Sequence, residues 1–273
     1  MKSYLINLQR SPQRLSWMSD QFSQLGIEFE RVEAIDGRQQ TSSELQRHAS
    51  PRLDGMEWTA SEIACFLSHR KCWQIIASGE APYAAVFEDD LHLDYEVAAL
   101  LSGHYWIPME AEIIKMEAPD ENRYQGSASN FGRRHRLFRS GDPWNASGAY
   151  IVSKRLAERL ARVEAINCPV DQFLFDNKLK NRFFDAHEIR PGICIQASET
   201  KGYTGPLASV IGEERVLPAV SRQRTRRGIA ARILRELARP WKRAYRRIAA
   251  RYREMRAPLI IFPAQRPDRG GSV

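Results

Sequence analysis

Three carboxylates stand side by side at Glu88, Asp89 and Asp90, directly after the apolar run Ala84-Ala85-Val86-Phe87. Adjacent like charges repel, so such a cluster is either a solvated turn or a place prepared for a cation. If the alternation of a strand runs through them, Glu88 and Asp90 point to one side and Asp89 to the other. Two carboxylates on one side form a hard-oxygen site for Mn²⁺ or Mg²⁺. Such ions keep positions open for water and substrate phosphate. That reading predicts a ligand carrying a diphosphate; the alternative is an acidic turn that caps the next helix.

The elements around the cluster must bring it to an edge where a ligand can lie. Residues 3 to 8 read as a short buried strand. Ser11 followed by Pro12 marks a helix start. Leu15, Met18, Phe22 and Leu25 keep helical spacing up to a stop at Gly26. Residues 28 to 34 form a second strand, which makes a βαβ unit and favours parallel pairing. Residues 39 to 57 look irregular. Thr59-Ala60-Ser61-Glu62 is a capping box, opening a helix to about Ser78. The strand 83–87 follows, then a candidate strand at 112–117 and a polar loop over 119–143. A strand at 147–152, a Ser153-capped helix to about Val163 and a helix after Asp171 complete the pattern. This is an α/β domain to about residue 220. In open α/β sheets ligands sit beyond the carboxyl ends of the strands, so Gln9-Arg10, Asp36 and Glu88-Asp89-Asp90 should converge on one rim.

The ordered blocks resemble glycosyltransferase family 25, the bacterial lipooligosaccharide galactosyltransferases. YLINLQRSPQR is similar to that family's first strand and its arginine-containing loop, and FERVEAIDGR to its second strand. SEIACFLSHRKCWQ resembles its Glu-x-x-x-Cys-x-Leu-Ser-His helix, and YAAVFEDDL its acidic metal motif. SGAYIVSKRLAERL and CPVDQFLF resemble its later strand, helix and Pro-x-Asp turn. The resemblance implies a GT-A type, Rossmann-like fold, a UDP-sugar donor, a divalent metal and inversion at the anomeric carbon. It makes Glu88 and Asp90 the metal ligands. It places Asn7, Arg10, Asp36, Ser68, His69 and Asp89 around the donor.

Arg10 suits phosphate through its forked donors, whereas Arg14 reads equally well as a solvated helix face. Asp36 could accept from uracil or ribose, or simply form a turn with Gly37. Asp171, ahead of the apolar Phe173, Leu174 and Phe175, is the expected general base, with an N-cap as its plain alternative. Cys65, His69 and Cys72 fall on one helical face. Zinc would need a fourth ligand, so the cysteines read as core. His187 could be a late metal ligand, although a surface histidine is the default.

At 273 residues and 43% apolar content, the chain can hold one large domain or two small ones. No window is apolar enough to span a bilayer. The N-terminus turns polar too early for a signal peptide, so the four cysteines are expected as thiols and the Asn145-Ala146-Ser147 sequon as idle. Charge is divided unevenly. Residues 222–256 carry 14 Lys/Arg against Glu236 and Glu254, a net +12, while the remainder carries 27 basic and 31 acidic residues, a net −4. In that segment Ile233, Leu237, Trp241, Tyr245, Ile248 and Tyr252 draw one helical stripe, opposite arginines. Pro240 kinks or divides the helix.

The organisation expected is a transferase domain over 1–220, a basic amphipathic helical segment over 221–256 and a tail over 257–273. The arginine face suits an anionic membrane surface; packing on the body and phosphate binding to nucleic acid compete with it. No specific nucleic acid is expected, because no recognition motif accompanies the charge. The reading is a cytoplasmic enzyme peripheral to the inner membrane. It would transfer galactose from UDP-galactose to a lipid-linked saccharide acceptor. A transferase using another sugar nucleotide is one rival, and a non-catalytic membrane- or nucleic-acid-binding protein is the other.

Overall fold

The computed structural model describes residues 1–118, 135–139, 146–176, 184 and 186–200. The expected boundary near 220, the basic segment 221–256 and the tail 257–273 lie outside the described residues.

The strands are β1 (Lys2–Asn7), β2 (Glu30–Glu33), β3 (Tyr83–Glu88), β4 (Leu91–Leu93), β5 (Ile113–Lys115), β6 (Arg136–Arg139), β7 (Ala149–Ser153), β8 (Ala186–Arg190) and β9 (Cys194–Gln196). The helices are α1 (Pro12–Gln24), α2 (Ser42–Gln46), α3 (Ala60–Ser78), α4 (Glu96–Leu101), α5 (Lys154–Leu160) and α6 (Val170–Phe175). Seven strands form one sheet in the order β2-β1-β3-β7-β5-β8-β6, and β4 pairs with β9 in a small second sheet. β1 runs parallel to β2 and β3, and β5 parallel to β8. β7 enters antiparallel between β3 and β5, and β6 closes the far edge antiparallel to β8. Five strands therefore share one direction.

The apolar runs explain the centre. Tyr4, Ile6, Ala84, Val86, Tyr150 and Val152 face a core shared with α3, α5 and α6. Leu5, Ala85, Phe87, Ile114 and Ile151 face the opposite core, with Met18 and Phe22 of α1 and Leu100 of α4. Strands covered on both faces read as continuous apolar runs rather than alternating ones. α3 buries ten of its nineteen residues, including Trp73 and Phe66, so it acts as an internal helix rather than a surface one.

Local signals behave as their chemistry dictates. Thr59 and Glu62 complete a capping box on α3, and Ser153 accepts from the Leu156 amide at the start of α5. Pro12 begins α1, but Ser11 makes no side-chain cap there. Gly26 adopts φ +64°, which a residue without Cβ takes freely. The interval 39–57 is not all irregular, since Thr41 and Glu44 form a second capping box on the short α2. The interval 119–143 contains β6.

Candidate functional site

Because β1, β2 and β3 are parallel, their carboxyl ends share one rim. Arg10, Asp36, Glu88, Asp89 and Asp90 line a single cavity there, together with Ser68 and His69 of α3. The convergence expected from the strand order is observed for Arg10, Asp36 and the three acids, while Gln9 is not among the lining residues. The alternation proposed for the acids is not: β3 ends at Glu88, so Asp89 and Asp90 leave the pleat and all three carboxylates border the same space.

Glu88 is held from two elements. Its Oε1 lies 3.1 Å from His69 Nε2 and 3.0 Å from Ser147 Oγ. Behind the histidine, Tyr150 Oη is 2.9 Å from His69 Nδ1 and accepts from Trp73 Nε1 at 2.8 Å. Burial opposes ionisation of Glu88, but the contacts from His69 and Ser147 and the charge of Arg14 outweigh it and hold the carboxyl below its usual range. An ionised carboxylate only accepts, so His69 donates from Nε2; a ring carrying that single proton receives the Tyr150 hydroxyl at Nδ1. A directed chain runs from Trp73 through Tyr150 and His69 to Glu88.

Asp89 accepts from Asn7 Nδ2 at 2.7 Å and from Arg14 Nη1 at 2.8 Å. Asn7 was expected against the nucleotide. It is buried at the end of β1, holds Asp89, and accepts from Arg31 at Oδ1, so it serves the cavity from behind. Arg14 is not a solvated face: its side chain is 12% exposed and also lies 3.8 Å from Asp90. Asp90 differs from its neighbours, because its buried Oδ1 has no hydrogen-bond partner. Burial, and then the charge of Glu88, push its carboxyl up to about 7.

In the same lining Arg10 Nε donates to Asp36 Oδ2 at 2.6 Å, and Asp36 Oδ1 accepts from the Arg38 amide. Gly37 lies so close to α3 that a Cβ would stand 2.8 Å from the Ala60 carbonyl oxygen. Ser68 accepts from the Ile35 amide at 2.9 Å and donates to Ala64, tying α3 to the end of β2.

Asp171 lies in the first turn of α6, where Pro169 and not Asp171 occupies the cap position. It is not among the residues lining the cavity, but its charge is felt at Cys65, which does line it. Cys72 is core as expected, whereas Cys65 is part-exposed; all four cysteines are free thiols. His187 is 6% exposed within β8, not a surface histidine, and does not border this cavity.

Sequence reasoning missed Ser147, Tyr150, Gln196 and Glu117. The 2.7 Å bond from the Glu88 amide to the Gly148 carbonyl brings the start of β7 to the acids, and Gln196 arrives through pairing with Leu91. Glu117 accepts from the Gly148 amide at 2.8 Å through Oε2, while its buried Oε1 has no hydrogen-bond partner. Burial, then the charges of Glu88 and Asp90, raise its carboxyl well above the ordinary range. The signal was Gly148, where a Cβ would lie 2.8 Å from Glu117 Oε2.

The donor set is hard oxygen, and an unpartnered buried oxygen on Asp90 is what a divalent ion would satisfy; the residues fit such an ion. Comparison with known proteins gives the class: the chain is a glycosyltransferase, an enzyme class that draws on nucleotide-sugar donors. It belongs to glycosyltransferase family 25, described as an LPS biosynthesis protein family, whose model matches residues 1–174. It is 27% identical to the lacto-N-neotetraose biosynthesis glycosyltransferase LgtB of Neisseria meningitidis serogroup A, over 82% of this chain and 85% of that protein. It is 25% identical to the lipooligosaccharide biosynthesis protein lic2B of Haemophilus influenzae, over 72% and 76%. A glycosyltransferase 25 family member of Drosophila pseudoobscura pseudoobscura is 26% identical over 71% of this chain but only 33% of its own length. Among the described residues no helix is long and apolar enough to cross a membrane.

Proposed function

We propose that this chain transfers galactose from UDP-galactose, with inversion, to a lipooligosaccharide or lipopolysaccharide core acceptor. In this reading Glu88 and Asp90 hold Mn²⁺ or Mg²⁺. Arg10 meets the diphosphate, Asp36 the uracil or ribose, and Ser68 and His69 lie against the donor. Asp89, fixed by Asn7 and Arg14, faces the ribose or orients Asp90. When bound, the ion offsets charge that develops on the departing diphosphate.

The observation carrying the reading is the unpartnered Asp90 Oδ1, buried in a cavity that Arg10 and Asp36 also border. A cavity lined by acids alone would suit an ion but not a nucleotide. An arginine in the same lining supplies donors for phosphate, and the carboxylate of Asp36 supplies acceptors for hydroxyls. The inverting step needs a base opposite the leaving group, and Asp171 takes that role. Its charge reaches the cavity wall at Cys65, and it stands in the first turn of α6. The basic segment 222–256 would hold the enzyme on an anionic membrane surface, beside a lipid-linked acceptor. Each basic residue there contributes about 1 kcal/mol.

The test is UDP release by the purified chain from UDP-galactose, with a lipooligosaccharide acceptor, with and without Mn²⁺. Metal-dependent release that vanishes in Asp90→Ala is expected. No release from any UDP-sugar, with or without metal, would overturn the reading. Release from a different UDP-sugar would replace galactose and keep the chemistry.

A further inference from the structure

A second set of ligands overlaps the acidic corner. Cys65 and His69 stand one turn apart on α3 and face the cavity, and Glu88 meets them from the end of β3. A thiol sulfur, an imidazole nitrogen and a carboxylate oxygen from these three residues all lie within 4.8 Å of one another. The sequence offered Cys72 as the third member of this face, but Cys72 is packed into the core and Glu88 takes its place.

We propose that Cys65, His69 and Glu88 form a binding site for a borderline-soft divalent ion, Zn²⁺ or Co²⁺, distinct from the hard-oxygen set of Glu88 and Asp90. Sulfur, nitrogen and oxygen in one three-ligand set select these ions over Mg²⁺ and Mn²⁺, and three protein ligands leave a fourth tetrahedral position open to the cavity. The histidine–carboxylate separation suits that geometry. His69 Nε2 and Glu88 Oε1 are already 3.1 Å apart, close to the spacing of two ligands on one tetrahedral ion at bond lengths of about 2 Å.

The surroundings favour a cation. Burial, and after it the charges of Glu88, Asp171 and Asp90, keep the Cys65 thiol protonated in the absence of an ion. The same negative charges attract a doubly charged one. On binding, the sulfur–hydrogen bond breaks, its proton leaves to bulk water, and a sulfur–metal bond forms. The His69 ring proton shifts from Nε2 to Nδ1, which frees the Nε2 lone pair as the second ligand, and the Tyr150 hydroxyl turns so that its Oη accepts from Nδ1. A phenol behind a ligating histidine fixes the ring as a carboxylate or carbonyl does elsewhere.

Glu88 belongs to both sets, so a soft ion held here competes for it with a hard ion beside Asp90. The site itself does not depend on the transferase reading. Zinc would act on the proposed transfer as an inhibitor that added Mn²⁺ relieves only in excess, because zinc precedes manganese in the affinity order for mixed ligands.

The test is titration of the full-length chain, freed of divalent ions, with Co²⁺. A sulfur-to-cobalt charge-transfer band with tetrahedral visible bands is expected, both removed by Zn²⁺. The charge-transfer band should disappear in Cys65→Ser and persist in Cys194→Ser, whose site lies in the opposite core. A cobalt spectrum without a sulfur band, or a sulfur band that survives Cys65→Ser, overturns the proposal. Alkylation of Cys65 in the wild-type chain, followed by mass spectrometry, avoids reliance on a variant's folding. It should slow about tenfold once Zn²⁺ fills the site and stay unchanged with Mg²⁺. Equal alkylation with and without Zn²⁺ is the contrary result. A chain that forms the cobalt band but releases no UDP from any UDP-sugar would sink the transferase reading alone.

Discussion

Tyr150 sets the orientation of His69. Its hydroxyl lies 2.9 Å from Nδ1 of a histidine that reaches Glu88 with the other ring nitrogen. Neither Tyr150 nor His69 is exposed. Tyr150→Phe would leave two buried partners, Trp73 Nε1 and His69 Nδ1, without their oxygen. Such losses cost about 1–3 kcal/mol each. The melting temperature should fall, and the Mn²⁺ concentration needed for half-maximal transfer should rise. Wild-type behaviour in both would refute the directed chain from Trp73 to Glu88.

Asp90 makes stability depend on pH in a direction opposite to most acids. Its folded carboxyl titrates near 7 instead of 3.8, so the native state holds more protons than the unfolded state between those values. Stability therefore falls as pH rises through that window, and the penalty is complete above it. Without divalent ions, Asp90→Asn should melt higher than the wild type at about pH 8 and lose the advantage at about pH 4. Added Mn²⁺ should stabilise the wild type more at the higher pH, because ion and proton compete for one carboxylate. Parallel melting curves for the two proteins across the range would contradict this.

Arg14 is the largely covered cation beside Asp89 and Asp90. Arg14→Gln leaves Asp89 and Asp90 without its charge, and breaking one side of a buried pair costs about 3–5 kcal/mol. Asp89→Asn in the same chain should recover part of the loss. A coupling energy near zero in that double-mutant cycle would show that the 2.8 Å contact contributes nothing.

Gly148 leaves no room for a side chain. In Gly148→Ala the new carbon would stand 2.8 Å from Glu117 Oε2 and 3.0 Å from Leu91 Cδ2. Overpacking of this kind costs about 1–3 kcal/mol. Denaturant unfolding should report that loss, and adding Glu117→Ala should relieve part of it. An unchanged midpoint would mean that β7 shifts freely at its start.

Asp171→Asn separates binding from chemistry. It should remove transfer while thermal stabilisation by UDP with Mn²⁺ persists. Retained transfer would dismiss Asp171 as the base.

Much of this arrangement was readable because it is local. The Thr59–Glu62 box fixed the start of α3, and apolar runs fixed β1 and β3. Parallel order then carried Arg10, Asp36 and the acids to one rim. Contacts that depend on strands far apart in sequence were not readable. Ser147 reaches Glu88 only because β7 pairs antiparallel with β3, and no local pattern states that direction. Glu117 looked like the end of a strand, since its contact with Gly148 joins segments 31 residues apart. The alternation assigned to Glu88, Asp89 and Asp90 failed because the strand stops at Glu88, where a turn replaces the pleat.

The placement of β8 limits how far the polypeptide can be shortened. β5 pairs with β7 on one side and β8 on the other, and β4 has β9 as its partner. A chain cut after Leu174, where the family match ends, would keep every acid at the rim, yet expose the edge of β5 and strip β4 of its neighbour. Gln196 would go with the lost strands. Trimming to the family-matched region should therefore give an aggregation-prone product rather than a smaller working enzyme.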